Sequence, residues 1–129
     1  MRRVIDGDTV ELSDGRLLRY LGIDTPEVRC REGDRWIDAP EPYGLEAAEA
    51  NRRLVGGRTV RLEYDVQTHD RFRRLLAYVY VGDVFVNAQL IRLGVAQPLT
   101  IPPNVKYADI FRDAAAEARR ERRGLWASP

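Results

Sequence analysis

The sequence is poor in the residues that build covalent cross-links and soft-metal sites: its 129 positions hold one cysteine, one histidine and one methionine. Cys30 alone excludes an internal disulfide and a cysteine-rich zinc site, and it leaves the redox compartment open. No apolar run reaches the roughly 18 to 20 residues of a membrane span. The best candidate, Leu75 to Val86, is broken by Asp83. The opening "MRRVIDGD" has no apolar stretch behind its two arginines, so the chain as given shows no secretory leader; one removed ahead of this numbering is compatible with it. Charge of one sign is also missing. With a net charge of +1 the chain has no overall field to gather nucleic acid, and any anion binding must be local. What is present, 44% hydrophobic and 32% charged residues, describes one soluble globular domain with a single core, expected as a monomer. Of the 21 basic residues all but Lys106 are arginine, a bias that genome composition suffices to explain.

Periodicity predicts strands over Val4–Leu12 and Arg16–Ile23, joined at "SDGR", where Asp14-Gly15 tolerates the positive φ of a tight hairpin. Asp24–Tyr43 has no period and reads as a long functional loop. A helix over Gly44–Val55 ends at Gly56-Gly57. Arg58–Tyr64 alternates as a half-buried strand with Val60, Leu62 and Tyr64 inward, and "LLAYVYV" at Leu75–Val81 is a central strand. A short helix over Val86–Leu93 ends at Gly94, Val95–Leu99 adds a last strand, and a helix over Tyr107–Arg123 carries the stripe Tyr107, Ile110, Phe111, Ala114, Ala118.

Two acidic strand ends carry the candidate chemistry. Asp8 shares a face with Val10 and Leu12 and so ends a core-facing row, where a carboxylate needs a partner. Asp24, in "LGIDTPEV", lies just past the apolar end of the second strand, and hairpin pairing brings the two far ends together. Two carboxylates with backbone carbonyls nearby, and no histidine or thiolate beside them, suit a hard cation such as Ca²⁺. Either aspartate alone is explained as well by turn capping; the pair favours the cation. Arg19 falls on the face of Leu17, Leu21 and Ile23 and requires an anion or an escape to solvent. Arg71, Arg73 and Arg74 surround Phe72, a stretch suited equally to a phosphate or to a solvated basic turn. Glu27, just after Pro26, is placed either to activate a water or to remain a surface glutamate.

Taken in order, "VIDGDTVEL", "LRYLGIDTPE", "DRFRRLLAYVYV", "VNAQLIRLG" and "RRGLW" resemble the staphylococcal-type thermonuclease family, over Val4 to Trp126. The resemblance implies an α+β, mainly β fold: a five-stranded OB-type antiparallel barrel with three helices, one domain over residues 1–129. It implies a Ca²⁺-dependent nuclease that hydrolyses phosphodiester bonds of DNA and RNA, favours single-stranded or denatured substrate, and breaks the 5′ P–O bond to leave 3′-phosphates. By position, Asp8 and Asp24 resemble the calcium carboxylates and the Thr25 carbonyl a further ligand. Glu27 resembles the general base, and Arg19 and Arg74 the pair that binds the scissile phosphate. A secreted or cell-envelope setting follows from the same resemblance, and relatives normally carry several more residues before "VIDGDTV".

The departures are specific. Arg73 stands where the family has glycine, and a turn needing positive φ there costs a side-chain-bearing residue about 1 to 2 kcal/mol. Phe72 replaces a tyrosine, keeping a stacking face and losing a hydroxyl. Leu99 and Ile101 replace base-stacking tyrosines, so stacking worth about 1 to 3 kcal/mol per base should be weaker and KM on short substrates higher. Val28–Pro42 is longer than usual and carries Asp34, Asp38, Glu41 and Trp36, the last either a replacement stacking surface or a residue packed on the barrel. An alternative of another class is a catalytically silent OB-fold module binding nucleic acid or protein, as in Tudor-containing proteins. Such modules usually lose the acids and arginines that are all present here.

Overall fold

A computed structural model describes residues 1–28, 30–32, 35–37 and 41–127, the segments 30–32 and 35–37 as backbone only. The first expected strand is folded back on itself. β1 (Arg3–Asp6) and β2 (Thr9–Glu11) pair antiparallel, with Val4 opposite Val10 and Asp6 opposite Thr9, so Gly7-Asp8 is a tight turn. The register shifts between Val4 and Asp6, and alternation is lost at the turn, where Gly7, Asp8, Thr9 and Val10 are all buried in succession.

β2 pairs antiparallel with β3 (Leu17–Tyr20) across the "SDGR" turn, and the chain bends at Leu21-Gly22 into β4 (Ile23–Asp24). β5 (Cys30–Glu32) and β6 (Arg35–Ile37) form a separate ribbon inside the segment read as a loop; Trp36 lies on β6, while Asp34 and Asp38 fall outside the described residues. α1 (Gly44–Val55) has the predicted bounds, burying Ala47, Ala48, Asn51 and Val55 along one face. β7 (Arg61–Glu63) stops short of Tyr64, which is exposed rather than inward. β8 (Leu75–Val81) is flanked by β3 and β7 and pairs at its end with β9 (Val84–Phe85). α2 (Val86–Arg92), β10 (Gln97–Pro98), α3 (Ala108–Arg120) and a 3-10 turn (Gly124–Trp126) complete the chain.

Among the described residues the fold is α+β, with three helices and a six-stranded sheet ordered β1-β2-β3-β8-β7 with β9 on β8. The expected antiparallel arrangement needs correction at one seam: β3 and β8 run parallel, Leu18 opposite Leu75. A parallel pair requires a long crossover, and the chain between these strands, which contains α1 and β7, supplies it. Leu18, Tyr20, Ile23, Tyr78, Val79, Leu90 and Phe111 fill the core. On α3 the expected stripe buries Phe111, Ala114 and Ala118, but Ile110 is exposed.

Two buried asparagines fasten the acidic strand ends. Asn51 of α1 donates to the Asp6 carbonyl (3.0 Å) and accepts from the Tyr20 hydroxyl (2.7 Å). Asn87 of α2 donates to the Leu21 carbonyl (2.8 Å) and accepts the Val79 N–H (2.9 Å). Buried polar groups satisfied in this way hold backbone position, because any displacement leaves them unpaired.

Candidate active site

Hairpin pairing does bring Asp8 and Asp24 to one place. Asp8 is buried; its Oδ2 accepts the Thr25 N–H (3.1 Å) and its Oδ1 accepts the Thr9 hydroxyl (3.0 Å). A Cβ on Gly7 would stand 2.8 Å from Thr25 Oγ1, so glycine lets the acidic turn close onto Thr25. Thr25 Oγ1 is itself buried and has no hydrogen-bond partner among the described residues.

Arg19 reaches this cluster, though from a different face than the alternation implies. Leu17 is exposed while Leu18 and Tyr20 are buried, because the Leu21-Gly22 bend breaks the period that would have linked Arg19 to Ile23. Arg19 Nη2 stands 3.3 Å from Asp8 Oδ2 and 3.6 Å from Asp24 Oδ1, and its Nη1 donates to the carbonyls of Tyr20 (2.6 Å) and Ile23 (2.9 Å). The anion it requires is the acidic pair.

The acids outnumber their guanidinium. Burial and repulsion by Asp8 push the Asp6 carboxyl up to about 8, with Glu27 adding to the effect. Asp24 is raised by burial and by Asp8, against the pull of Arg19. Glu27 is raised by burial, Asp8 and Asp24, while a hydrogen bond with Asp6 and the charge of Arg19 pull it down. Among the described residues no three acidic side chains stand together at the spacing of a ready ligand set.

The second arginine is built into a turn. Asp70 accepts the backbone N–H groups of Phe72 (2.9 Å) and Arg74 (3.0 Å) on Oδ1 and the Arg74 Nε (2.7 Å) on Oδ2. Burial works against it, but these bonds hold the Asp70 carboxyl below the usual carboxylate range. The turn does require a left-handed residue, and Arg73 adopts φ 66°. Arg73→Gly is therefore expected to relieve about 1 to 2 kcal/mol of strain against about 0.5 to 1 kcal/mol of added unfolded-state entropy. The net gain of roughly 0.5 to 1 kcal/mol is checked by urea denaturation. A loss of stability would show that the Arg73 side chain contributes more than its backbone costs.

Arg19 and Arg74 line one cavity of about 280 Å³ with Phe72, Leu76, Leu99 and Ile101. β10 brings Leu99 there by pairing with β4, and the Leu99 N–H donates to the Gly22 carbonyl (2.8 Å). Phe72, Leu99 and Ile101 are exposed at its rim. Arg73 is exposed and absent from its lining, and the Trp36 side chain lies outside what is described. Arg19 thus joins an apolar-rimmed basic cavity to an acidic cluster.

The profile described as "Staphylococcal nuclease homologue" matches residues 17–128. The chain belongs to the staphylococcal nuclease family. It is 37% identical over 129 residues to a thermonuclease of Staphylococcus hyicus, covering 98% of this chain and 73% of that protein. It is 36% identical over 129 residues to a thermonuclease of Staphylococcus intermedius, covering 98% of this chain and 74% of the relative. Endonuclease YncB of Bacillus subtilis (strain 168) is 36% identical over 129 residues, covering 96% of this chain and 59% of that protein.

In this member of the staphylococcal nuclease family three residues beside the acids and arginines gain a part only from the structure, Glu41 standing out in sequence merely as one acid of the Val28–Pro42 segment. Asp6 has a visible signal, a second acid two residues before Asp8, but only the turn at Gly7-Asp8 directs it into the cluster. Asp70 and Glu41 act through backbone amides, which composition does not reveal.

The raised carboxyls set a pH dependence. Between the ordinary carboxylate range and about 8, folded Asp6 holds a proton that the unfolded chain lacks. Its contribution to stability is full at low pH and is lost as pH rises through about 8, and Asp24 and Glu27 shift in the same direction. Urea midpoints measured in chelator are expected to fall across this window, and Asp6→Asn to flatten the fall. A midpoint that climbs from pH 5 to pH 8 would contradict the arrangement.

Proposed function

We propose that this chain is a Ca²⁺-dependent nuclease hydrolysing phosphodiester bonds of DNA and RNA, with single-stranded or denatured substrate preferred. One observation carries the reading: Arg19 and Arg74 share a cavity whose Arg19 end abuts the carboxylates of Asp8 and Asp24. A phosphate fits the cavity and a cation fits the acids. The donors there are all oxygen, Asp6 and Asp24 are raised in pKa by burial and by repulsion from Asp8, and Thr25 Oγ1 has no hydrogen-bond partner among the described residues, so the residues suit a hard cation. Asp8, Asp24 and the Thr25 carbonyl would hold it. Bound there, Ca²⁺ supplies fixed positive charge to offset the charge that develops on the phosphate oxygens.

The chain's own groups account for the remaining steps. Glu27, held partly desolvated and raised in pKa, takes the proton from the attacking water. Arg19 and Arg74 orient the phosphate and stabilise its equatorial oxygens as the new P–O bond forms. The 5′-oxygen then departs opposite the water and is protonated from solvent, leaving a 3′-phosphate. Phe72, Leu99 and Ile101 offer the neighbouring nucleotide an apolar wall with one aromatic face, consistent with a higher KM on short substrates. End-group analysis tests this reading. Products from DNA and RNA should carry 3′-phosphates and 5′-hydroxyls, labelled by polynucleotide kinase without phosphatase treatment, whereas 5′-phosphate ends would mean that the 3′-oxygen departs and would overturn the assigned direction of cleavage.

A further inference from the structure

Glu27 is the point at which the chain departs toward β5 and to which it returns at Glu41. The two residues clasp each other through the backbone. The Glu41 N–H donates to the Glu27 carbonyl (2.9 Å), and the Glu27 N–H donates to Glu41 Oε1 (2.8 Å). The Gly44 N–H donates to the Glu41 carbonyl (2.8 Å), which ties the clasp to the first residue of α1. A Cβ on Gly44 would stand 2.3 Å from the Glu27 carbonyl oxygen, so the same carbonyl is pressed against the helix start. Through Asn51, α1 also grips the turn that carries Asp6 and Asp8. Glu27 is thereby referenced to the acidic turn by one rigid helix rather than by its own loop.

The chemistry of Glu41 makes this placement informative. A fifth carboxylate beside Asp6, Asp8, Asp24 and Glu27 is electrostatically unwelcome, and its charge contributes, after burial and Asp8, to the raised pKa of Asp24. Glu41 is exposed, so burial of its side chain offers little in return. What it supplies is an acceptor for the amide of Glu27.

We propose that Glu41 is a positioning residue for the general base, fixing the backbone of Glu27 so that its carboxylate meets the attacking water. This rests on the reading of Glu27 as the base. The test compares kcat and KM on single-stranded DNA at saturating Ca²⁺ for the parent chain, Glu41→Ala, Glu41→Gln, Glu27→Gln and the double variant Glu27→Gln/Glu41→Ala. Glu41→Ala should lower kcat about 10- to 100-fold, the scale of a 1 Å misplacement, with KM within about twofold. Glu41→Gln keeps the Oε1 acceptor and should return kcat to within about threefold of the parent. On the Glu27→Gln background, removing Glu41 should cost nothing further. Parent kcat in Glu41→Ala, equal losses in Glu41→Ala and Glu41→Gln, or additive losses in the double variant would each overturn the proposal. A Glu27→Gln chain that cleaves at the parent rate would instead overturn the general-base reading itself.

Discussion

Glu27→Gln is expected to lower kcat by about 10²- to 10⁴-fold while Ca²⁺ binding survives. The amide is isosteric with the acid and keeps an oxygen toward the site, but it cannot take a proton from water. Glu27 is exposed yet partly desolvated, with its carboxyl raised by burial and by Asp8 and Asp24. A carboxylate raised in this way is better matched to taking a proton from water than an ordinary one. Removing its charge also relieves repulsion on Asp6, so the variant should be no less stable than the parent in chelator. Calorimetric titration with Ca²⁺ beside steady-state cleavage separates the two effects. Unchanged turnover would remove Glu27 from the mechanism, and lost Ca²⁺ binding would make it a ligand instead.

Arg74→Ala is expected to lower kcat/KM by about 10²- to 10³-fold, the usual consequence of deleting one preorganised donor to developing charge. Its stability should change little. Asp70 would still accept the N–H groups of Phe72 and residue 74, and its side chain is 18% exposed, so water can replace the guanidinium. Arg19→Ala is a less clean experiment. The Asp8 side chain is 3% exposed, and stripping a buried carboxylate of its partner costs on the order of 3 kcal/mol before any catalytic effect is read. Arg74→Lys sharpens the comparison, because an ammonium cannot hold Asp70 through Nε and also present a fork to phosphate. Near-parent kcat/KM in both Arg74 variants would mean that Arg74 is not engaged by substrate.

The parts of the site visible in the sequence were those set by local chemistry. α1 was legible in full because Ala47, Ala48, Asn51 and Val55 repeat at helical spacing and Gly56-Gly57 ends the run. Asp8 and Asp24 were legible because paired strands must bring their ends together. Arg19 shows its need for an anion in the sequence but not its face, since a bend at Leu21-Gly22 is invisible to a period-2 count. The left-handed turn expected at Arg73 followed from the resemblance, which puts glycine there, and Arg73 does adopt φ 66°. Less legible were features made by non-local geometry: the parallel seam of β3 and β8, the fold-back at Gly7-Asp8, and the clasp between Glu27 and Glu41. Each depends on a backbone partner distant in sequence, and side-chain pattern carries no record of it.

The most direct measurement is cleavage of denatured DNA and RNA by the purified chain with Ca²⁺ and with chelator, side by side, with folding verified in both. The expected result is degradation of both substrates in Ca²⁺, arrest in chelator, and recovery when Ca²⁺ is returned in excess. Full activity in chelator, or none across a Ca²⁺ titration of folded protein, would contradict the assignment of a metal-assisted nuclease to the site around Asp8, Arg19, Asp24 and Glu27.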